Sequence, residues 1–468
     1  CGPPERPQAM RNLFVLAIGL WFMSSAWAKP NILFIAIDDL RPELGCFGGK
    51  EVRSPHIDKL AARGTTFTRA YCQVAVCGAS RASLMTGLRP TWKRFLKYDT
   101  FAEKDAPDAM TLPGELRKNG YHCISNGKIF HHKNDTAKRS WSEDPWKPDM
   151  GGASFIDPKS KSMIGGRKKR GPVLENPKVS DSAYPDGQIA DKTILDLKRM
   201  KKKGEPFFLA CGFIKPHLPF YAPKKYWDLY DRASLELADN LERPKDAPSA
   251  LRGSGEIHSY HDRGMKYNSE EWHRSCLHGY YACVSYVDAQ IGKVMKTLDD
   301  LDLRKNTIIV LWGDHGWHLG EHNFWGKHNV MHLSTRSPLI VSAPGFKSGQ
   351  ACERLVEFVD LYPTLMDLAG LKSVNEGREG ASFKPLLQNP RLKWKSAAFS
   401  KYGPARSLIT HQFNYAEFND GEKMLFDLKK DPDENVNLAA SPEHKKTLNR
   451  LGKMLKGGWR EVLPPETR

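Results

Sequence analysis

The pentapeptide Cys77-Gly78-Ala79-Ser80-Arg81 places a cysteine four residues before an arginine, about one turn apart if the segment is helical. A cysteine here has four interpretations: a buried apolar side chain, half of a disulfide, a thiolate nucleophile, or the precursor of a modified residue. Taken alone, the pentapeptide favours the first two. The choice between these four interpretations therefore depends on the other residues of the chain that could do chemistry.

Two acidic groups could bind a cation. Asp38 and Asp39 are adjacent, and Asp314 is followed by His315. A single Asp-Asp pair after a strand is more often a turn and a helix cap than a metal site. Adjacent carboxylates repel each other unless a cation lies between them, and a second acid-plus-imidazole group favours the metal interpretation. Hard oxygen ligands favour Ca²⁺, and less strongly Mg²⁺, over zinc, with His315 as a nitrogen ligand.

Lysines and histidines could supply positive charge and protons. Gly127-Lys128 is followed by His131, and Lys215-Pro216-His217 forms a second group. Taken singly, each of these is a common turn sequence. Lys327 lies downstream of His315 in a segment with four more histidines, which are interpreted either as neighbours of the site or as surface residues: His318, His322, His328 and His332.

The elements that must position these groups are apolar runs with the composition of buried strands. The runs span residues 31–37, 121–125, 206–213, 306–312 and 339–344. Helical patterns between them cover residues 54–63, 111–120 and 269–294. This alternation predicts an α/β fold with a doubly wound, largely parallel sheet flanked by helices. Ligands bind beyond the carboxyl ends of such strands, and four of the five runs end in acids, lysines or histidines; the run 339–344 does not.

The chain is predicted to form two domains. Residues 29–370 contain the strand and helix patterns of the large sheet. Residues 371–468 contain the alternating segments SLITHQFNYAEF and MLFDL, which indicate an antiparallel sheet in a smaller C-terminal α+β domain.

The N-terminal residues 1–28 are predicted to be a leader and signal peptide. Met10 and Arg11 precede the apolar stretch LFVLAIGLWFM, and Ala26-Trp27-Ala28 has the pattern of a cleavage site. The pattern predicts export, to the periplasm or out of the cell. No later stretch is long and apolar enough to predict an integral membrane segment in the mature chain.

Charge and cysteine usage fit an exported protein. The formal net charge is +17, which attracts polyanions. Outside the cytoplasm, anionic polysaccharide is a better partner than nucleic acid. Of nine cysteines, seven remain when Cys1 and Cys77 are set aside, so one or two disulfides are possible and at least one thiol stays unpaired.

The pentapeptide and the segment Leu84–Pro90 together resemble the signature of the type I, formylglycine-dependent sulfatases, C-x-[PA]-S-R followed by L-x-T-G-x-R-P. Ala79 stands where proline is commonest. Further segments resemble the family in order along the chain: NILFIAIDDLRPELGCFG, VRSPHIDKLAARGTTFTRAY, GKIFH, KPHLPF, GDHGWHLGEHNFWGKH and LFDLKKDPDENVNLA. Within the family the chain most resembles the iduronate-2-sulfatase branch. The resemblance implies an alkaline-phosphatase-like fold with residues 29–370 as the catalytic domain.

The resemblance also implies that a formylglycine-generating enzyme converts Cys77 to Cα-formylglycine. One hydroxyl of the hydrated aldehyde attacks the sulfur of a sulfate ester, and the second hydroxyl then expels sulfate. A divalent cation, held by residue 77 with Asp38, Asp39, Asp314 and His315, binds a sulfate oxygen. The resemblance implies that Arg81 pairs with the diol oxygen and that Lys128 and Lys327 neutralise the sulfate. It also implies that His131 accepts the diol proton, and that His217 or Lys327 protonates the leaving sugar oxygen.

The sequence therefore predicts a sulfuric ester hydrolase that acts on a sulfated carbohydrate, uronic-acid-containing or related. One alternative is a phosphoesterase or phosphonate hydrolase of the alkaline phosphatase superfamily. Another is a non-catalytic protein that binds sulfated glycans. A Cys–His protease fails as a third, because it leaves the acids at the strand ends unexplained.

Overall fold

The structure is a computed structural model that describes residue 2 and the ranges 29–149, 154–165, 170–371 and 377–464. The strands are β1 Asn31–Ile37, β2 Thr65–Phe67, β3 Ala70–Tyr71, β4 His122–Gly127, β5 Leu174–Glu175, β6 Phe207–Phe213, β7 Phe220–Tyr221, β8 Thr307–Gly313, β9 His318–Leu319, β10 Trp325–Gly326, β11 Leu339–Ser342, β12 Gln350–Cys352, β13 Val356–Glu357, β14 Ala398–Tyr402, β15 Ala405–Ile409, β16 Phe413–Phe418 and β17 Lys423–Asp427. The α-helices are α1 Pro55–Ala61, α2 Cys77–Thr86, α3 Ala102–Asp105, α4 Leu112–Lys118, α5 Ala137–Ser140, α6 Pro158–Ser162, α7 Pro185–Lys203, α8 Lys224–Trp227, α9 Glu270–Asp300, α10 His332–Thr335, α11 Leu361–Leu368, α12 Lys384–Gln388 and α13 Lys445–Gly457.

The large sheet contains all five predicted strands. Its order is β12-β2-β11-β8-β1-β6-β4, and β8, β1, β6 and β4 are mutually parallel neighbours. Only β11 runs against its neighbours β8 and β2 in this sheet. The predicted largely parallel sheet is confirmed. The direction of β11 also explains why the run 339–344 lacks polar residues after it: its carboxyl end lies at the opposite edge of the sheet.

Helices cover both faces of this sheet and bury the two sides of each central strand. In β1, Leu33 and Ile35 belong to one apolar core, and Ile32 and Phe34 belong to the other. Residues of α1, α7 and α9 pack in the first core, and residues of α2, α4, α11 and α12 pack in the second. The alternation of side chains along a strand explains why β1 has to be apolar throughout.

The C-terminal sheet is an antiparallel meander in the order β14-β15-β16-β17. Leu408, Tyr415 and Leu425 pack on one of its faces with Leu451 and Leu455 of α13. The predicted antiparallel sheet and α+β character of this region are therefore present. The preceding helix α12 packs instead in the same core as the large sheet.

The described cysteines are free thiols, so the disulfides that the cysteine count allowed are absent from this part of the chain: Cys46, Cys72, Cys77, Cys123, Cys211, Cys276, Cys283 and Cys352. Among the described residues, none of the helices combines the length and apolar composition needed to cross a membrane. The predicted signal peptide, apart from residue 2, lies outside the described residues.

Candidate active site

The carboxyl ends of β1 and β8 place the two acidic groups side by side. Ile37, the last residue of β1, pairs with Gly313 of β8, so the residues that follow each strand emerge together. The backbone N–H of Asp39 donates to Asp314 Oδ1 at 3.1 Å. Helix α2 begins at Cys77, close to these acids. Ligand atoms of Asp38, Asp39, Cys77 and His315 all lie within 4.8 Å of one another.

The imidazole of His315 has the arrangement of a metal ligand. Its Nδ1 donates to the carbonyl of Gly316 at 3.0 Å, which leaves Nε2 with a free lone pair. That Nε2 is buried without a hydrogen-bond partner. It lies 3.3 Å from Asp39 Oδ1 and 3.6 Å from Asp314 Oδ1. A buried nitrogen without a partner beside two carboxylates is placed to bind a divalent cation together with their oxygens.

Neighbouring charges control the two adjacent acids differently. Burial alone would raise the pKa of Asp38, but Lys128, His217 and Arg81 hold that pKa well below its usual range. Burial and the carboxylates of Asp38 and Asp314 raise the pKa of Asp39 to about 7, although Lys327 opposes the rise. Like charges at close range cannot all ionise without added positive charge, so a cation would favour full ionisation here.

Arg81 holds two of the acids in place. Its Nε donates to Asp314 Oδ2 at 2.8 Å, and its Nη2 donates to Asp38 Oδ1 at 3.3 Å. The same guanidinium binds the carbonyls of Lys128 and Ile129 and is fully buried. Arg81 therefore links the acids that follow β1 and β8 to helix α2, a structural contact that the sequence did not predict.

The ammonium groups of half-buried Lys128 and buried Lys327 lie beside the acids. The Nζ of Lys128 donates to Asp38 Oδ2. The Nζ of Lys327 lies 2.8 and 2.9 Å from the carboxylate oxygens of Asp39. Burial and Asp38 nevertheless raise the pKa of the Cys77 thiol, even though both lysines oppose the rise. A thiol held in its protonated form is a poor nucleophile, which disfavours a plain thiolate mechanism.

The histidines predicted for proton transfer differ in their surroundings. His131 is largely buried, its Nδ1 has no hydrogen-bond partner, and burial and Lys128 lower its pKa to about 2. A neutral imidazole can accept a proton. The ring of His217 is fixed by a 2.6 Å contact from Nδ1 to the carbonyl of Leu218, and its Nε2 lies 3.9 Å from Asp39 Oδ2. Both histidines thus lie within electrostatic range of Asp38.

Glu256 belongs to the site and was missed in the sequence. Its Oε1 lies 3.5 Å from His217 Nε2 and 3.0 Å from Arg170 Nη1, and its Oε2 lies 3.4 Å from Lys327 Nζ. Burial would raise the pKa of Glu256, but Lys327 and His217 lower it well below its usual range. The loop around Glu256 has no periodic pattern and no motif, so only the tertiary structure shows that this residue lies in the site.

The four additional histidines have mostly structural contacts. His322 contacts the carbonyls of Glu242 and Asp433, and His332 packs against the ring of Tyr71. The Nε2 of His318 lies 3.3 Å from Asn329 Nδ2. His328 is the exception, because it follows Lys327 and its ring stacks on Tyr402 with the ring centroids 5.1 Å apart.

Comparison with known proteins decides the family. The family profile described as Sulfatase matches residues 30–371, and the profile described as N-sulphoglucosamine sulphohydrolase, C-terminal, matches residues 320–460. Iduronate 2-sulfatase of Mus musculus is 33% identical over 494 residues, covering 91% of this chain and 88% of that protein. The chain belongs to the sulfatase family. The predicted family and its iduronate-2-sulfatase-like character are thereby confirmed.

Solved structures confirm the alkaline-phosphatase-like fold of this sulfatase. The phosphonate monoester hydrolase from Silicibacter pomeroyi has a TM-score of 0.76 and 24% identity, covering 93% of this chain and 96% of that chain. A protein solved with its substrate D-glucosamine-2-N,6-O-disulfate has a TM-score of 0.73 and 22% identity, covering 92% of this chain and 97% of that chain. At these identities the likeness extends to the fold alone, so the sulfatase assignment rests on the family profile and the curated relative.

Proposed function

We propose that this sulfatase removes sulfate from a sulfated carbohydrate, with residue 77 as the nucleophile and one divalent cation as cofactor. The observation that carries the proposal is the approach of Asp38, Asp39, Cys77 and His315 to within 4.8 Å of one another. The buried Arg81 and Lys327, together with the half-buried Lys128, surround these residues with positive charge. Such a site suits a small, multiply charged oxyanion.

The proposed metal ligands are Asp38, Asp39, Asp314, His315 and residue 77. Ca²⁺ is the proposed ion, with Mg²⁺ second, because carboxylate oxygens predominate. When bound, the cation polarises a sulfate oxygen and favours deprotonation of the nucleophile. The orphaned Nε2 of His315 supports the assignment.

Residue 77 would act as Cα-formylglycine, made from Cys77 by a formylglycine-generating enzyme. Hydration supplies two hydroxyls on one carbon, one to attack sulfur and one to drive the release of sulfate. Residue 77 opens α2, where the backbone N–H groups and the helix dipole favour an anion. Gly78 fits this position because a Cβ there would lie 1.9 Å from the carbonyl oxygen of Tyr98.

The other residues have separate proposed roles. Arg81 holds Asp38 and Asp314 and lies beside residue 77, while Lys128 and Lys327 neutralise sulfate oxygens. His131, neutral and unpartnered, accepts the proton of the second hydroxyl. His217 or Lys327 protonates the leaving sugar oxygen, since both lie on the Glu256 side of the site.

The proposed substrate is a sulfated uronic-acid-containing or related sugar. The name of the mouse relative and the sulfated glucosamine bound by the structural neighbour support a sulfated sugar. The net charge of +17 agrees with a polyanionic substrate. We also propose export through the N-terminal signal peptide, and a catalytic domain of residues 29–370 followed by a subdomain of residues 371–468.

Two experiments test the reaction. Mass spectrometry of the peptide 70–81 from the native host should find an aldehyde at residue 77, and an active enzyme that carries only the thiol would refute the mechanism. Turnover of an aryl sulfate should exceed that of the matched aryl phosphate. Faster phosphate turnover would favour the phosphonate-hydrolase alternative, and sulfated-glycan binding without turnover by fully converted enzyme would favour a non-catalytic protein.

A further inference from the structure

A second cavity lies between the C-terminal sheet and the loop after α2. Its volume is about 350 Å³, and its lining includes Arg89, Thr91, Lys401, Arg406, Trp459 and Arg460. None of the proposed metal ligands or of the six proposed catalytic residues lines it. We call it the β14 cavity, after the strand that carries Lys401.

Two cations face each other directly in the wall of the β14 cavity. Lys401 of β14 pairs in register with Arg406 of β15. Like charges at directly opposed positions of an antiparallel pair destabilise a sheet. A folded protein that retains such a pair has positive charge available for an anion.

Neighbouring groups neutralise this charge only weakly. The Nζ of Lys401 donates to the carbonyl of Thr91 at 2.9 Å, and Arg406 lies 3.7 Å from a carboxylate oxygen of Glu417. Burial and Arg406 lower the pKa of Lys401. The carboxylate among the described lining residues is Glu379, which already accepts from the backbone of Arg89 and, at 2.9 Å, from Arg94 Nη2.

An aromatic wall completes the β14 cavity. The guanidinium of Arg89 lies 5.0 Å from the centroid of the Trp459 ring, and that of Arg460 lies 4.3 Å from it. The indole therefore contributes apolar surface beside the exposed guanidinium of Arg460, while Arg89 is paired with Glu357. Apolar surface beside converging cations suits a charged sugar better than a bare ion.

Two neighbouring residues of β14, Lys401 and Tyr402, lie on opposite faces of the strand. Successive side chains of a strand point to opposite faces, so Tyr402 points away from Lys401. The ring of Tyr402 stacks on His328, the neighbour of Lys327. The tip of this hairpin, residues 403 and 404, is exposed. This exposed tip leaves room for a sugar chain to cross from one face of the hairpin to the other.

We propose that the β14 cavity binds a second sulfate-bearing sugar of a polymeric substrate while another unit occupies the active site. This inference rests on the proposed function for the identity of the polymer. Sulfate oxygens accept hydrogen bonds from Lys401 and Arg406, and the pyranose packs near Trp459. The site adds affinity for sulfated chains and none for small sulfate esters.

The test uses the full chain and the double variant Lys401→Gln/Arg406→Gln. Calorimetric titration with a dextran sulfate oligosaccharide should show about tenfold weaker binding than wild type. The matched control is Lys198→Gln/Lys202→Gln, which removes two exposed charges from α7 and should retain wild-type affinity within about twofold. Equal weakening in both variants would overturn the proposal, since net charge alone would then explain binding.

Two further measurements separate this inference from the proposed reaction. Turnover of a small aryl sulfate by the Lys401→Gln/Arg406→Gln variant should equal wild type, and its unfolding temperature should stay the same or rise because the like-charge pair is gone. Lower turnover of the aryl sulfate, or a lower unfolding temperature, in this variant would overturn the proposal. Inorganic sulfate that bound as tightly as the oligosaccharide would also overturn it. Absence of aryl sulfate turnover in every protein would refute the proposed reaction, while the titrations still report on the β14 cavity.

Discussion

Two largely buried charge clusters of this sulfatase differ in how completely their members are paired. The active-site cluster contains Asp38, Asp39, Asp314, His315, Arg81, Lys128 and Lys327. The junction cluster contains Arg89, Glu357, Asp360 and Lys395, beside the start of the C-terminal sheet. Both balance carboxylates with cations: three against three in the active-site cluster, and two against two in the junction cluster.

The junction cluster satisfies its charged atoms internally. Both terminal nitrogens of Arg89 donate to Glu357 at 2.6 Å, and Lys395 Nζ lies 2.6–2.8 Å from oxygens of Glu357 and Asp360. The backbone of Phe399 in β14 also donates to Glu357. Because each carboxylate is used by its neighbours, the cluster ties β14 to β13 and leaves no group for a ligand.

The active-site cluster retains unsatisfied groups. His315 Nε2, and His131 Nδ1 beside the cluster, are buried without partners. An unpaired buried polar atom costs free energy, so a water or a ligand must complete it, and beside several carboxylates a metal ion is suited to do so. The comparison shows that buried charge alone does not mark an active site; incomplete pairing around a nucleophile does.

The largest expected effect is on activity at residue 77. Cys77→Ala should lower kcat/KM by about 10⁴-fold or more, because it removes the nucleophile. Cys77→Ser should allow attack but not release, so the sulfated enzyme should accumulate and be visible by mass spectrometry. Cys123→Ala, at another buried free thiol, is the control and should keep its activity. Multiple turnovers by Cys77→Ser would show that the second hydroxyl is dispensable.

Removal of the metal should abolish turnover, because the proposed metal ligands lie in or beside the active-site cluster and not in the junction cluster. Chelation followed by dialysis should eliminate aryl sulfate hydrolysis, and Ca²⁺ should restore it better than Mg²⁺. Resupply of the ion at 100 times its Kd should also stabilise the fold by about 2.7 kcal/mol in thermal unfolding. His315→Ala should weaken this ion-dependent stabilisation. Full activity in metal-free enzyme would refute a metal site.

Glu256→Gln should affect the reaction in a substrate-dependent way. If Glu256 positions His217 and Lys327 for protonation of the leaving oxygen, kcat should fall by about 10²-fold for a sugar sulfate. An aryl sulfate with a good leaving group needs less protonation and should lose much less. Glu256→Asp should recover part of the loss. Equal losses for both substrates would indicate a structural role instead.

Breaking the junction cluster should affect stability rather than catalysis. Lys395→Met leaves Asp360 as an uncompensated buried acid, while Arg89 still pairs with Glu357, and should reduce the free energy of unfolding by about 3–5 kcal/mol. Denaturant unfolding measures the change, and the kcat of the folded fraction should remain that of wild type. A selective loss of kcat would show that the cluster also serves the reaction.

The smallest effect is expected for an exposed pair. Lys296 and Asp300 form an ion pair on the surface of α9, with Nζ 2.6 Å from Oδ2. Lys296→Gln should change the free energy of unfolding by less than about 0.5 kcal/mol, because solvent screens such pairs. If Lys296→Gln lowered the free energy of unfolding as much as Lys395→Met does, burial could not be the cause of the difference between the exposed pair and the junction cluster.

Much of the fold could be predicted because buried parallel strands require continuous apolar runs. The runs 31–37 and 306–312 correspond to β1 and β8 within one residue at each end. The polar residues after them could be assigned to one site because the carboxyl ends of parallel strands share an edge. The direction of β11 could not be predicted, since an apolar run has the same composition in either direction.

Sequence alone determined which residues could do chemistry in this protein and which elements carry them. The apolar runs and the motif around Cys77 are local properties that composition and spacing express directly. Tertiary structure alone decided that Glu256 reaches His217 and Lys327, that Arg81 links α2 to the acids, and that the described cysteines stay unpaired. Those contacts depend on the path of irregular loops and on packing between distant segments, for which no periodicity in the chain provides a signal.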